Sequence, residues 1–390
     1  MLYRLRCVRC GKEYEPDPWR ITCDCGGLLE PVIVRRPAGI SWTLFRSRRM
    51  GVWRYQELLP KVRERVTMGE GGTPLIRLDE NLWVKFEGAN PTGSFKDRGM
   101  TVAVSLAKEA GAKSVICAST GNTSASVAAY AARAGINSVV LLPRGKVARG
   151  KLAQAILHGA KIVEVDGPFD EALKAVMRVA GRESGLYPLN SFNPWRLEGQ
   201  KTIAFEIADE IGVPDWVVLP IGNAGNISAI WKGFKELRRF GLINKLPRMA
   251  GVQAEGAAPI AKAFREGLEE PEFVDNPETV ATAIRIGKPV NWPKALAALK
   301  ESNGWAEVVS DQEIIKAHKD LARAGVGVEP ASAASLAGYR RMLREGVIKE
   351  GEKVVLIATG HALKDPDAVP EPQVVRAKDA DEAARLVMSL

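Results

Sequence analysis

The chain has 390 residues, is 46% hydrophobic and 26% charged, and carries a formal net charge of +9. That balance is globular, the length suits two domains of ordinary size, and no apolar run reaches the ~18 residues of a membrane span. The basic residues are dispersed, with the densest short run at 46–49 (RSRR), so a solvated surface favouring an anionic small molecule explains the charge better than nucleic acid or membrane binding.

The opening, MLYRLRCVRCGKEY, lacks the apolar core of a signal peptide, and a cytoplasmic protein is expected. Four of the five cysteines, Cys7, Cys10, Cys23 and Cys25, cluster near the start, a distribution unlike a disulfide scaffold. From about Leu82, short apolar runs alternate with amphipathic stretches. Residues 114–118 (SVICA) read as a strand, and 123–133 as an Ala-rich helix stopped by Gly135. A strand at 137–142, a helix at 147–158, a strand at 161–165 and a helix at 169–179 follow. The rhythm resumes with a strand at 216–219, a helix at 227–240, a strand at 248–253 and a buried strand at 354–358 (VVLIA). Beyond Pro366, Pro370 and Pro372, a helix at 379–388 is expected to pack on the body. Continuously apolar strands alternating with helices imply an α/β protein with more than one parallel-type sheet covered by helices.

Four motifs carry chemistry. In NPTGSFKDRGM, residues 90–100, a turn precedes a helix that Ser94 and Asp97 would cap, with Lys96 in its first turn. An ordinary surface lysine is the plain alternative, but the positive end of a helix weakens an ammonium and so favours a nucleophilic amine. STGNTS at 119–124 and GNAGN at 222–226 are strand-to-helix turns with free N–H groups, suited to an anion and equally consistent with simple capping. ATGHALKDP at 358–366 puts Thr359 and His361 at the carboxyl end of a strand, where open α/β sheets bind ligands. His361 is read as structural.

Together with GGTPL at 71–75, these motifs stand in the order and spacing of the tryptophan-synthase-β-like, or fold-type II, pyridoxal-phosphate enzymes, which the chain resembles from about Gly71 to Asp365. The resemblance implies a two-domain fold-type II architecture. A large domain spans 39–88 and 192–390 and contains the phosphate loop and Thr359. A small domain at 89–191 has Lys96 and Asn122 at the domain interface, and residues 1–38 form a ribbon-like appendage. It further implies that Lys96 is the Schiff-base lysine of pyridoxal 5'-phosphate and that Phe95 lies beside the cofactor. Asn122 would bond the 3′ oxygen of its ring, Gly222, Asn223, Ala224, Gly225 and Asn226 its phosphate, and Thr359 would face the pyridine nitrogen. A neutral hydroxyl there leaves a weaker electron sink, which suits β- and γ-eliminations.

Within that family the GNAGN loop, SFKDR at the lysine, and NSFNPWRLEGQ at 190–200 resemble the threonine synthase group, as do QAEGAA at 253–258 and GVEPAS at 327–332. The resemblance implies that O-phospho-L-homoserine and water become L-threonine and phosphate. Ser119, Thr120, Thr123, Asn190, Ser191 and Arg196 would surround the substrate, with Arg196 on its phosphate. A threonine or serine dehydratase, or an O-phosphoserine-using synthase such as cysteate synthase, is the alternative, and a homodimer is expected. Cys7-x2-Cys10 and Cys23-x-Cys25 resemble a zinc ribbon with one spacer residue missing from the second pair. A metal-free hairpin that keeps its thiols is the competing reading.

Overall fold

The computed structural model describes residues 2–145, 149–167, 169–369 and 374–389. The chain begins with an antiparallel ribbon, β1 (Tyr3–Cys7), β2 (Glu13–Tyr14) and β3 (Leu29–Ile33), in the order β2-β1-β3. Residues Tyr3, Leu5 and Cys7 of β1 point inward while their neighbours face out, the period-two pattern of a half-buried strand. Strands β4 (Leu75–Asp79) and β5 (Leu82–Phe86) then pair antiparallel.

A second, four-stranded sheet follows: β6 (Ser114–Ala118), β7 (Asn137–Pro143), β8 (Lys161–Val165) and β9 (Leu186–Pro188), all parallel, in the order β8-β7-β6-β9. The chain then returns to the first sheet with β10 (Trp216–Pro220), β11 (Arg248–Ala254), β12 (Trp305–Val309) and β13 (Val354–Ala358). The order there is β12-β11-β10-β13-β5-β4, parallel except at the β4 edge. Every residue of β10 and β13 is buried, as expected of strands covered on both faces.

Six helices position the site: α1 (Lys96–Glu109), α2 (Asn122–Ala134), α3 (Pro194–Gln200), α4 (Thr202–Ile211), α5 (Gly225–Arg239) and α6 (Pro330–Arg344). The alanines of α2 pack between β6 and its neighbours, and Gly135 ends the helix in the left-handed region at φ 70°. The helix expected at 147–158 occupies Arg149–Leu157; positions 147 and 148 lie outside the described residues. The expectation of a C-terminal helix packed on the body is corrected. The helix Ala380–Ser389 forms, but none of its residues is buried, and Val387 and Met388 stay exposed because no part of the described chain covers them. Among the described residues, no helix is long and apolar enough to cross a membrane.

Candidate active site

Strands β6, β10 and β13 end at one cleft of about 700 Å³ between the two large sheets. Phe95, Lys96, Ser119, Thr120, Asn122, Thr123, Asn190, Ser191, Arg196, the loop 222–226 and Thr359 all line it. Residues from five separate stretches of chain thus meet at the carboxyl ends of parallel strands, the usual ligand position in such sheets.

Lys96 stands on a turn stapled to the end of β13: the Phe95 amide donates to the Thr359 carbonyl at 3.0 Å, and Ser94 bridges Gly360. Its Nζ lies 4.0 Å from the centre of the Phe95 ring. The cap differs from expectation. Phe95 is the N-cap of α1, with no side-chain capping bond. Asp97 turns inward instead and accepts from the Thr92 amide at 2.6 Å, the Thr92 hydroxyl at 2.6 Å and the Ser126 hydroxyl at 2.5 Å. The lysine ammonium is pulled down to about 7, first by burial and then by the charge of Arg196, against the opposing pull of Glu329. Desolvation, rather than the helix dipole inferred from sequence, is the main cause.

Arg196 is fully buried, and among the described residues no carboxylate pairs with it. Its Nη1 donates to the Leu189 carbonyl at 2.7 Å and its Nε has no partner among the described residues. Burial lowers it to about 10. Arg196 lies beside Lys96 because α1 and α3 cross at two glycines. A Cβ on Gly199 would stand 1.7 Å from the Arg98 carbonyl oxygen, and one on Gly99 2.8 Å from the Arg196 carbonyl oxygen. Side chains at those positions would force the helices apart.

Below the crossing, Arg98 donates to Glu87 at 2.6 and 2.7 Å and to Glu206 at 2.7 and 2.8 Å. Lys85 adds a second cation 3.0 Å from Glu206, and all four side chains are fully buried. GGTPL serves this network, not the cleft: Gly72 donates to Glu206, and a Cβ on Gly71 would stand 2.8 Å from a Glu206 oxygen.

The 222–226 loop joins β10 to α5. Ala224 sits in the left-handed region at φ 63°, so successive N–H groups turn to one side, a geometry that cups anions. Both polar atoms of the Asn226 side chain are buried without a partner among the described residues. Asn223 is held from behind, its carbonyl accepting from the Asn291 amide at 3.1 Å. These orphaned groups and the open first turn of α5 fit the phosphate of pyridoxal phosphate.

Elsewhere the side chains divide their duties. Asn190 spends its amide on the Ala118 backbone at 2.9 and 2.8 Å, clamping the end of β6. The Ser119 hydroxyl accepts from Gly121 and Ser124 amides, both at 3.2 Å. Thr359 shares a 2.8 Å hydrogen bond with Ser332. Asn122 donates to both oxygens of Glu329 at 3.0 and 2.9 Å, and burial raises that carboxyl above its ordinary value. Glu329 and Lys364 line the cleft although the sequence reading gave them no role; GVEPAS was the signal for the first. His361 caps a short 3-10 turn by accepting from the Leu363 amide at 3.1 Å, the structural duty expected of it. Cys7, Cys10, Cys23 and Cys25 gather in the ribbon, outside the cleft.

The profile of the pyridoxal-phosphate dependent enzymes matches residues 66–360. Threonine synthase of Methanocaldococcus jannaschii is 56% identical over 378 residues, covering 93% of each chain. Threonine synthase of Methanosarcina acetivorans is 54% identical, covering 96% of each. Among solved structures, the Escherichia coli threonine synthase matches with a TM-score of 0.77 over 97% of this chain and 94% of that one, at 19% identity, a likeness of fold. By the extent of these matches, the chain belongs to the pyridoxal-phosphate-dependent enzyme family, in its threonine synthase group.

Proposed function

We propose that the cleft converts O-phospho-L-homoserine and water to L-threonine and phosphate, with Lys96 as the attachment point of the cofactor. The observation that carries this reading is Arg196, a buried guanidinium with no carboxylate partner among the described residues, beside Lys96 in the same cleft. A buried unpaired cation is costly unless an anionic ligand completes it, and the planar fork of arginine matches a phosphate dianion.

Pyridoxal phosphate, when bound, supplies the electron sink that makes protons at the substrate's Cα and Cβ labile. Free Lys96 Nζ, with its ammonium near 7, is neutral often enough to take the Cα proton and to return protons along the chain. Arg196 and the helix-start N–H groups stabilise the phosphate as it leaves Cγ. Asn122 and Thr359 would orient the ring, the N–H groups of 222–226 would hold its phosphate, and the hydroxyls of Ser119, Thr120, Thr123 and Ser191 would orient the substrate. Asn190 positions Ser119 by fixing the end of β6. Sheet membership supports a small domain at 89–191 set into a large domain of 39–88 and 192–390, with an appendage at 1–38. A cytoplasmic homodimer is the matching assembly and location.

The test supplies O-phosphohomoserine, O-phosphoserine and threonine separately to the purified enzyme. Phosphate and threonine are expected from the first. Turnover of O-phosphoserine alone would transfer the reading to a phosphoserine-using synthase. Lys96→Ala should lose both turnover and the cofactor's absorption band near the visible edge; a retained band refutes the lysine assignment.

A further inference from the structure

The reaction makes no use of the four ribbon cysteines, yet the fold brings them to one point. The end of β1 and the turn that follows it present Cys7 and Cys10, and a second turn, closed by the Thr22–Leu28 bridge, presents Cys23 and Cys25. The four sulfurs all lie within 4.8 Å of one another. Cys7 to Cys25 is 3.5 Å, Cys10 to Cys23 3.6 Å and Cys10 to Cys25 3.6 Å. A disulfide needs about 2.05 Å, and all four are free thiols. A zinc ion bound tetrahedrally at about 2.3 Å from each sulfur spaces them about 3.8 Å apart.

The surroundings are arranged for thiolates. Amides of Arg9 and Cys10 point at the Cys7 sulfur at 3.4 and 3.5 Å, and the Tyr14 oxygen lies 3.0 Å from the Cys23 sulfur. The residue missing from the second pair is made up by glycines. Gly26, at φ 76°, turns the chain back, its amide donating to the Cys23 carbonyl at 2.9 Å. A Cβ on Gly27 would stand 2.7 Å from the Cys7 sulfur, so the backbone passes against the cluster where no other residue fits. Asp24, the lone spacer, turns outward to Lys12 and Arg20 at 2.7 and 2.9 Å and leaves the sulfurs uncontested.

The geometry points to a closed four-thiolate site for a divalent zinc ion, which braces the helices that carry Lys96 and Arg196. Leu5, Cys7, Cys23 and Leu29 of the ribbon share one core cluster with Val102 and Leu106 of α1 and with Trp195, next to Arg196. The ribbon is also tied by polar contacts: Tyr3 to Glu198 of α3 at 3.1 Å, Lys294 to the Leu29 carbonyl at 2.8 Å, and Lys232 to the Pro31 carbonyl. The metal closes the hairpin that supplies these contacts, and its binding releases the thiol protons. No ligand position remains open, so the site is structural. This inference is independent of the reaction assigned to the cleft.

The test is elemental analysis of the full-length enzyme, expressed with zinc in the medium and purified without chelator. About one zinc per chain is expected, with negligible iron. Adding a mercurial in the presence of a metallochromic dye should release that zinc as the thiols react. Zinc below about a tenth of an equivalent, with no uptake of added zinc, overturns the site; stoichiometric iron overturns its metal. In Cys10→Ser/Cys25→Ser, which alters the two exposed cysteines, zinc should fall below about a tenth of an equivalent and the melting temperature should drop. The cofactor absorption band should remain. Zinc retained by that variant overturns the ligand set, and should the variant not fold, the metal content of the unaltered enzyme decides.

Discussion

Replacing Arg196 by methionine separates stability from activity. In the ligand-free protein, burial holds the guanidinium at about 10 instead of 12.5, so keeping its charge in place costs about 3 kcal/mol. Methionine of similar length removes that cost and fills the volume. It also removes the hydrogen bond to the Leu189 carbonyl, which costs about 1–3 kcal/mol when the acceptor stays buried. The two nearly cancel, and Arg196→Met should melt within a few degrees of the unaltered enzyme, on either side. Activity should not cancel. Two charge-assisted hydrogen bonds to a departing phosphate contribute at least about 3 kcal/mol together, so kcat/KM for O-phosphohomoserine should fall about 100-fold or more. Thermal melts without substrate and a phosphate-release assay measure both. A variant that melts far lower yet keeps kcat/KM within about threefold would make Arg196 a packing residue and refute the argument.

Two further outcomes follow from the same geometry. Gly199→Ala puts a Cβ 1.7 Å from the Arg98 carbonyl oxygen, a backbone atom that cannot step aside, and should destabilise the enzyme by at least about 3 kcal/mol in denaturant unfolding. Gly181→Ala, where nothing lies within 4 Å, should stay within about 0.5 kcal/mol and serves as the control. Reconstitution of cofactor-free enzyme with pyridoxal phosphate requires neutral Lys96. Its ammonium is pulled down to about 7, so the rate should rise through pH 7 and level off well below the 10.5 of a free lysine. Arg196→Met removes the second-largest cause of that shift and should move the midpoint upward; a rate still climbing above about pH 9 in the unaltered enzyme contradicts the buried amine.

The cleft was legible in the sequence because its groups sit in short strand-end motifs, each with its own turn chemistry. What lay between motifs was less legible. Asn122 and Glu329 are 207 residues apart, so GVEPAS could be seen as a motif while its partner could not. Strand β5 holds a fully buried Lys85, which interrupts the apolar run that betrays a central strand. The three residues of β9 give no periodicity to read. Between β11 and β13, the helices Pro259–Glu266, Trp292–Glu301, Asp311–Arg323 and α6 form where no element was expected. For one of them a local signal exists: Ser310 and Glu313 make a reciprocal capping box. The inward turn of Asp97 is only half local: Thr92 lies five residues before it, but Ser126 belongs to another helix.

The buried network under α1 explains how the amine can be fixed while the cleft above it stays open. Arg98, two residues after Lys96, donates to Glu87, Glu206, Thr73 and Thr202, and so anchors the first turn of α1 from below. An apolar residue there would pack as well in area but would leave the turn free to rotate, because dispersion contacts have little directional preference. Four fixed hydrogen-bond partners set the rotation of α1, and with it the direction of the Lys96 side chain, before any ligand arrives. Such a network stabilises little in total, since desolvation offsets the attraction. Its effect is on geometry: breaking it at Arg98 leaves the buried Glu87 without a cation and Glu206 with Lys85 alone. The glycines at 71, 99 and 199 serve the same close approach: Gly99 and Gly199 let α3, which runs straight into the Thr202 and Glu206 of α4, press on α1, and Gly71 lets the 71–75 segment bring in Thr73.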